Sequence, residues 1–247
     1  MKKEREILIN PKVVLLNHTK NPEIVVAQAG SLCYSPEGLR KNWTLEKARE
    51  FIKRVPKKHK SVFEHAVFSF YIEGISRACS HELVRHRIAS YSQRSQRYIN
   101  EKDFSAHFPE RFIEIMGESW VRDKLEYLKR AYQEVLEKYE RKRITREEAN
   151  QDARYILPNA TETKIYMTMN AGSLFNFFNL RMCNRAQYEI RNVAKQMYSL
   201  VYDIAPSIFE NVGPDCTTKI GCQEGAKGCN LAKKVVEELN NLRRLNK

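Results

Sequence analysis

RHRIASYSQRSQR, Arg85 to Arg97, packs four arginines, one histidine and three serines into thirteen residues with no acidic residue. Residue chemistry leaves three readings open: a nucleic-acid patch, a serine nucleophile in a basic setting, or a cradle for a small anion. Arginine forks, serine hydroxyls and backbone N–H groups together suit phosphate oxygens, because charge-assisted bidentate bonds offset the desolvation of both partners. The bland alternative is a solvated basic face. A serine nucleophile fits less well, since no G-x-S-x-G elbow surrounds Ser90, Ser92 or Ser95. Just upstream, His81-Glu82-Leu-Val-Arg85-His86 imitates a zinc-protease helix. Arg85 stands where the second histidine belongs, and His81 and His86 are turned about 140° apart on a helix.

The whole chain of 247 residues carries a net charge of +13, with 42% hydrophobic and 30% charged residues. That is the composition of a folded protein with a sizeable core, and its basicity predicts attraction to phosphate-bearing partners. A nucleic-acid binder is the main rival to an enzyme, with Tyr91 and Tyr98 available to stack on bases. Against it, the chain has no RNP-like run or zinc finger. GxGxxG and Walker A sequences are missing too, so a dinucleotide must bind by other means. The opening MKKEREILIN has no apolar h-region, and no run approaches eighteen apolar residues. The expectation is a cytoplasmic protein without a membrane span.

Hydrophobic patterning predicts an α+β fold, helices around a small sheet, with a main domain over 1–215 and a Cys-containing segment and C-terminal helix over 216–247 packed on it. Strands are expected at Lys12–Leu16, Phe68–Ile72 and Thr163–Asn170, the last with Ile165, Met167 and Met169 on one face. Helices are expected at Pro22–Cys33, Trp43–Val55 with Thr44 as cap, and from Ser76 through His86. Downstream ones cover Glu118–Arg143, Arg146–Leu157, Ser173–Met182 and Asn184–Val201, before a last one carrying Leu231, Val235, Leu239 and Leu242. Pro56 ends the second helix and a basic loop, Lys57-Lys-His-Lys60, follows. Ser90, Ser92 and Ser95 fall in a loop or a new helix start. Asn176 and Asn179, set among phenylalanines, need partners if buried, in the fold or on a ligand. Cys216, Cys222 and Cys229 lack a fourth cysteine or a histidine near them in sequence, so they read as reduced thiols rather than as a metal site.

Arg85-His-Arg87, seven residues and then Ser95 resembles the R-H-R-x7-S signature of the flavin-dependent thymidylate synthases. HKSVFEH at 59–65, ARYILP at 153–158 and MNAGSLFNFFNLRMCNRAQYEIR at 169–191 resemble further family segments in the same order, so the resemblance runs from about residue 20 to 210. It implies reductive methylation of dUMP to dTMP, with 5,10-methylenetetrahydrofolate as carbon donor, NADPH as reductant and FAD as hydride carrier. It also implies a mixed α+β fold and a homotetramer with each site shared between subunits, and no need for nucleic acid, membrane or metal.

Carried over by motif, Ser61, Glu64, Arg85, His86, Arg87, Ile88, Gln93, Asn170, Ala171, Gly172 and Asn176 are implied at FAD. Glu82, Leu83, Val84, Arg85, Gln93, Arg94, Ser95, Gln96, Arg97, Arg154 and Arg181 are implied at dUMP. Arg181 corresponds to the residue that polarises uracil N3, and His59 joins it in the catalytic set. Ser95 becomes a nucleotide ligand. The chain departs from many relatives with Glu82 in place of Gln, from some with Gly172 in place of Arg, and from others with Gln93 in place of Glu.

Overall fold

A computed structural model describes residues 7–8, 10–56 and 59–244. Most of the opening segment, and Lys57 and Lys58 of the basic loop, therefore lie outside the described residues. In chain order the elements are β1 (Ile7–Leu8), β2 (Lys12–His18), α1 (Pro22–Leu32), α2 (Leu45–Arg54), a 3-10 helix (Lys60–His65), β3 (Val67–Ser76), α3 (Arg77–Leu83) and β4 (Ser90–Gln93). There follow β5 (Ala106–His107), α4 (Glu110–Met116), α5 (Glu118–Arg141), α6 (Arg146–Ala153) with a 3-10 turn (Arg154–Ile156), and β6 (Glu162–Asn170). The chain continues with α7 (Ala171–Arg181), α8 (Tyr188–Ile204), α9 (Pro206–Phe209), 3-10 turns at Asp215–Thr217 and Gly225–Lys227, and α10 (Ala232–Arg244). Helices around a small sheet make this the expected α+β fold. The larger sheet has the order β2-β3-β6-β4; β1 and β5 form a parallel pair.

The chain divides into two compact units. One comprises the described residues of 1–12, Glu73–Val84 and Ser92–Ile165; the other comprises Val13–Ile72, Arg85–Tyr91 and the described residues from Tyr166 onward. In the first, Val121 and Leu125 of α5 meet Ile7, Phe104 and Ala106, with Leu128 partly buried against them. Val121, Leu125 and Leu128, spaced four and three residues apart, therefore form the core-facing stripe of α5, and its charged face carries pairs such as Arg122–Glu118. In the second unit the core is aromatic. Phe209 meets Phe68, Phe175 and Phe178 at ring-centroid distances of 5.6, 5.8 and 6.0 Å, and Phe178 packs edge-on against Tyr198 at 5.4 Å. Burying such rings supplies the largest apolar contribution per residue.

Several helix starts are where the sequence puts them. Thr44 accepts from Lys47 N at 3.3 Å, and Ser76 accepts from Cys79 N at 3.0 Å. Two expectations fail near the basic stretch. The helix from Ser76 stops at Leu83 rather than His86, and Ser90–Gln93 is a strand rather than a loop or helix start. Both have a tertiary cause: bonds to His86 from outside the helix accompany its early end, and β4 is a strand through its place next to β6. The helix expected from Asn184 starts only at Tyr188, where the Gln187 side chain accepts from Glu189 N and Ile190 N at 2.9 and 3.1 Å. The segment after residue 215 ends in α10, whose Arg243 Nε donates to Tyr198 Oη at 2.8 Å.

Candidate active site

In the second unit, two segments far apart in sequence meet at one hydrogen bond. Arg181, the last residue of α7, donates from Nε to His86 Nε2 at 3.0 Å. Phe177, one turn earlier on α7, stands edge-on to the imidazole at 4.9 Å. Burial first, and then the Arg181 cation, push the His86 pKa down to about 4. The ring is therefore neutral near pH 7. With Nε2 accepting, its proton is assigned to Nδ1. The His86 carbonyl accepts from Tyr91 Oη at 2.9 Å, and burial pushes that phenol up to about 12. Arg85 and Arg87 are exposed and have no ion pair among the described residues, and Ile88 is 73% exposed.

The start of α7 is built for close approach. The Asn170 side chain caps it, accepting from Ser173 N at 2.8 Å. Ala171 is buried, and its N–H donates to Ala66 O at 2.8 Å. A Cβ on Gly172 would lie 3.0 Å from Glu64 Cγ and 3.2 Å from the Lys60 carbonyl. The 3-10 helix carrying Ser61 and Glu64, with His59 at its N-cap, therefore sits tightly on this helix start. Any longer side chain at 172 must displace it, which gives the Gly172 departure a physical reason. Asn176, one turn on, is exposed. Asn179 is not: it donates to Asp215 Oδ1 at 2.5 Å and to Gly213 O at 3.4 Å, so its partners belong to the fold.

In the first unit, the residues implied for the nucleotide are held by a polar network. Gln93 Nε2 donates to Ser80 Oγ and Thr163 Oγ1 at 3.0 and 3.1 Å, so its amide serves the scaffold. Leu83 is fully buried, and Val84 and Glu82 are half-buried. Arg94 pairs through Nη2 with Glu101 at 3.0 Å and through Nη1 with Glu162 at 3.8 Å. Ser95 Oγ accepts from Arg97 N at 3.2 Å, and Arg97 pairs with Glu147 at 2.7 Å on the surface. Gln96 Nε2 is buried without an acceptor among the described residues. Arg154 is exposed, and its charge, after burial, lowers the pKa of Arg77.

The family model described as Thymidylate synthase complementing protein matches residues 14–207. A flavin-dependent thymidylate synthase of Clostridium tetani is 45% identical over 237 residues, covering 90% of this chain and 94% of its own. That of Geobacter sulfurreducens is 44% identical over 228 residues, covering 91% and 96%. That of Pyrococcus furiosus is 39% identical over 225 residues, covering 86% and 89%. The chain belongs to the flavin-dependent thymidylate synthase family.

Family membership gives meaning to Arg77 and Glu101, which the sequence reading passed over, and to Tyr91, which it read only as a candidate for base stacking. A flavin-dependent thymidylate synthase gathers several anions, and Arg77 adds a partly buried cation beside Arg154. Glu101 is 3% exposed; burial raises its pKa, Arg94 opposes that shift, and its Oε1 has no partner among the described residues. Tyr91 fixes the backbone of the signature itself. The one sequence signal for Glu101 is its place as the first carboxylate after the run of arginines.

Proposed function

We propose that this chain makes dTMP from dUMP, with the residues of the first unit serving the nucleotide and those at the α7 start serving FAD. The family's reaction takes its carbon from 5,10-methylenetetrahydrofolate and its reducing equivalents from NADPH. When bound and reduced, FAD supplies the hydride. The residues fit that group. Of the first N–H groups of α7, that of Ala171 is bonded to Ala66 and that of Ser173 is capped by Asn170, which leaves the Gly172 N–H to suit a phosphate, and Ile88 offers an apolar surface.

The observation that carries the reading is the Arg181–His86 bond, which unites the two signature segments through a neutral imidazole. As an acceptor, His86 orients the guanidinium without competing charge. Arg181 then presents a fixed cation where negative charge develops on the uracil, the arrangement that lowers a barrier most. His59 and Glu64, on the tight 3-10 segment, act at the flavin edge. Gln96 brings a buried donor that requires an acceptor, and Ser95 retains an O–H to donate while its oxygen accepts from Arg97. Arg154 and Arg77 repel one another, so a nucleotide phosphate beside them relieves that repulsion. A homotetramer with sites shared between subunits completes the assembly.

The test is the visible spectrum of the purified protein, followed by anaerobic incubation with dUMP, methylenetetrahydrofolate and NADPH. Flavin absorbance and dTMP are expected; a colourless protein that takes up no FAD and forms no dTMP overturns the reading. Arg181→Ala is expected to lower turnover by about 10²–10³-fold while flavin is retained. Unchanged turnover removes Arg181 from its role.

A further inference from the structure

Cys183, Cys216, Cys222 and Cys229 are unpaired thiols that line one cavity of about 510 Å³ in the second unit. Three come from the tail. The fourth, Cys183, lies in the turn after α7, two residues beyond Arg181, and supplies the sulfur that the tail's own spacing lacks. The convergence is built. Asn179 holds the 3-10 turn bearing Cys216 through Asp215 and Gly213. Arg185 pairs with Glu224, fixing the loop between Cys222 and Cys229. Gly228, with no side chain, leaves its Cβ position 3.7 Å from Cys222 Sγ.

The other donors around the cavity are committed. Asp215 bonds Asn179 and Glu224 pairs with Arg185, while no imidazole lines the wall. Soft sulfur is what remains. We propose that these four cysteines bind zinc as a closed, structural four-thiolate site that ties the tail to the turn following Arg181. Zinc matches an all-sulfur tetrahedral donor set with no position open for chemistry. Binding Zn²⁺ by four thiols releases four protons and leaves a net charge of −2, with Arg181 on the same cavity wall. As placed, no three metal-binding side chains among the described residues form a ready-made site. Metal binding therefore draws the four sulfurs closer together than they stand here.

The experiment uses the full-length protein, kept reduced, stripped with a chelator and titrated with Co²⁺. The expected result is a thiolate-to-cobalt charge-transfer band that saturates at one equivalent per chain and is displaced by Zn²⁺. Four thiols should become protected from a thiol reagent when zinc is bound. Cys183→Ser and Cys216→Ser should each abolish the band, and Cys33→Ser should leave it intact. No charge-transfer band in the unmodified protein, or four thiols still reactive with excess zinc, overturns the proposal even if every variant fails to fold. The readout does not depend on dTMP formation, so its failure leaves the assigned reaction untouched.

Discussion

Two buried carboxylates, one in each unit, are treated in opposite ways. Glu23, 1% exposed, accepts from Ser207 N–H at 2.9 Å, from Ser207 O–H at 2.7 Å and from Arg49 Nε at 2.8 Å. Glu101, 3% exposed, uses one oxygen for Arg94 and leaves the other without a partner among the described residues. A buried group that the fold itself satisfies locks packing in place. One left half-satisfied beside arginines, in the same unit as the unsatisfied Gln96, marks a group that a ligand can complete.

Removing the satisfied group should have the largest effect. Glu23→Ala leaves the buried Ser207 N–H without this acceptor and should cost about 3 kcal/mol. At this chain length that lowers Tm by roughly 6–12 °C. Turnover per folded molecule should not change. Calorimetry with active-site titration checks both, and a loss of turnover without a loss of Tm erases the contrast.

Glu101→Gln should do the reverse, raising KM for dUMP about tenfold through a loosened Arg94, with kcat nearly constant. Its pH dependence sharpens the test. Burial raises the folded-state pKa above the ordinary 4.5, with Glu162 adding to the rise and Arg94, Arg77 and Lys164 opposing it. An acid with a raised folded pKa contributes stability that is full below the unfolded value and is lost as pH rises through the folded value. Wild type should lose stability over that interval, while the glutamine variant should not. If the two stability curves run parallel, Glu101 is satisfied by the fold and the contrast with Glu23 fails.

These contrasts also show where sequence reading ends. The α5 stripe and the β6 alternation were legible because each depends on a repeat within one element. Strand β4 was not, since Ser-Tyr-Ser-Gln offers no apolar alternation and is a strand only through its place next to β6. Nothing in Leu-Val-Arg-His-Arg ends a helix. The stop at Leu83 accompanies bonds to His86 from Arg181, 95 residues away, and from Tyr91. Resemblance located Arg181 and the signature. Glu101, Arg77 and the gathering of Cys183 with the tail cysteines emerge only when distant segments meet. Asn179 was legible as a residue in need of a partner, but its partner lies 36 residues on.

Tyr91 combines both behaviours, a satisfied contact within the candidate site, and its removal gives the smallest expected effect. Its phenol stays protonated through ordinary pH because burial holds its pKa near 12, so the bond to the His86 carbonyl persists across the working range. Tyr91→Phe keeps the ring and removes the donor, which should lower stability by about 1 kcal/mol. The His86 carbonyl then loses its bond to Tyr91 while Arg181 still holds the ring, so FAD affinity should fall only about threefold, a loss of roughly 0.6 kcal/mol. Flavin fluorescence titration alongside thermal melting separates the two effects. A stability loss with unchanged FAD affinity places Tyr91 with Glu23 in the scaffold; an affinity loss far beyond threefold places it with Glu101, as a restraint on the site that the ligand itself helps to complete.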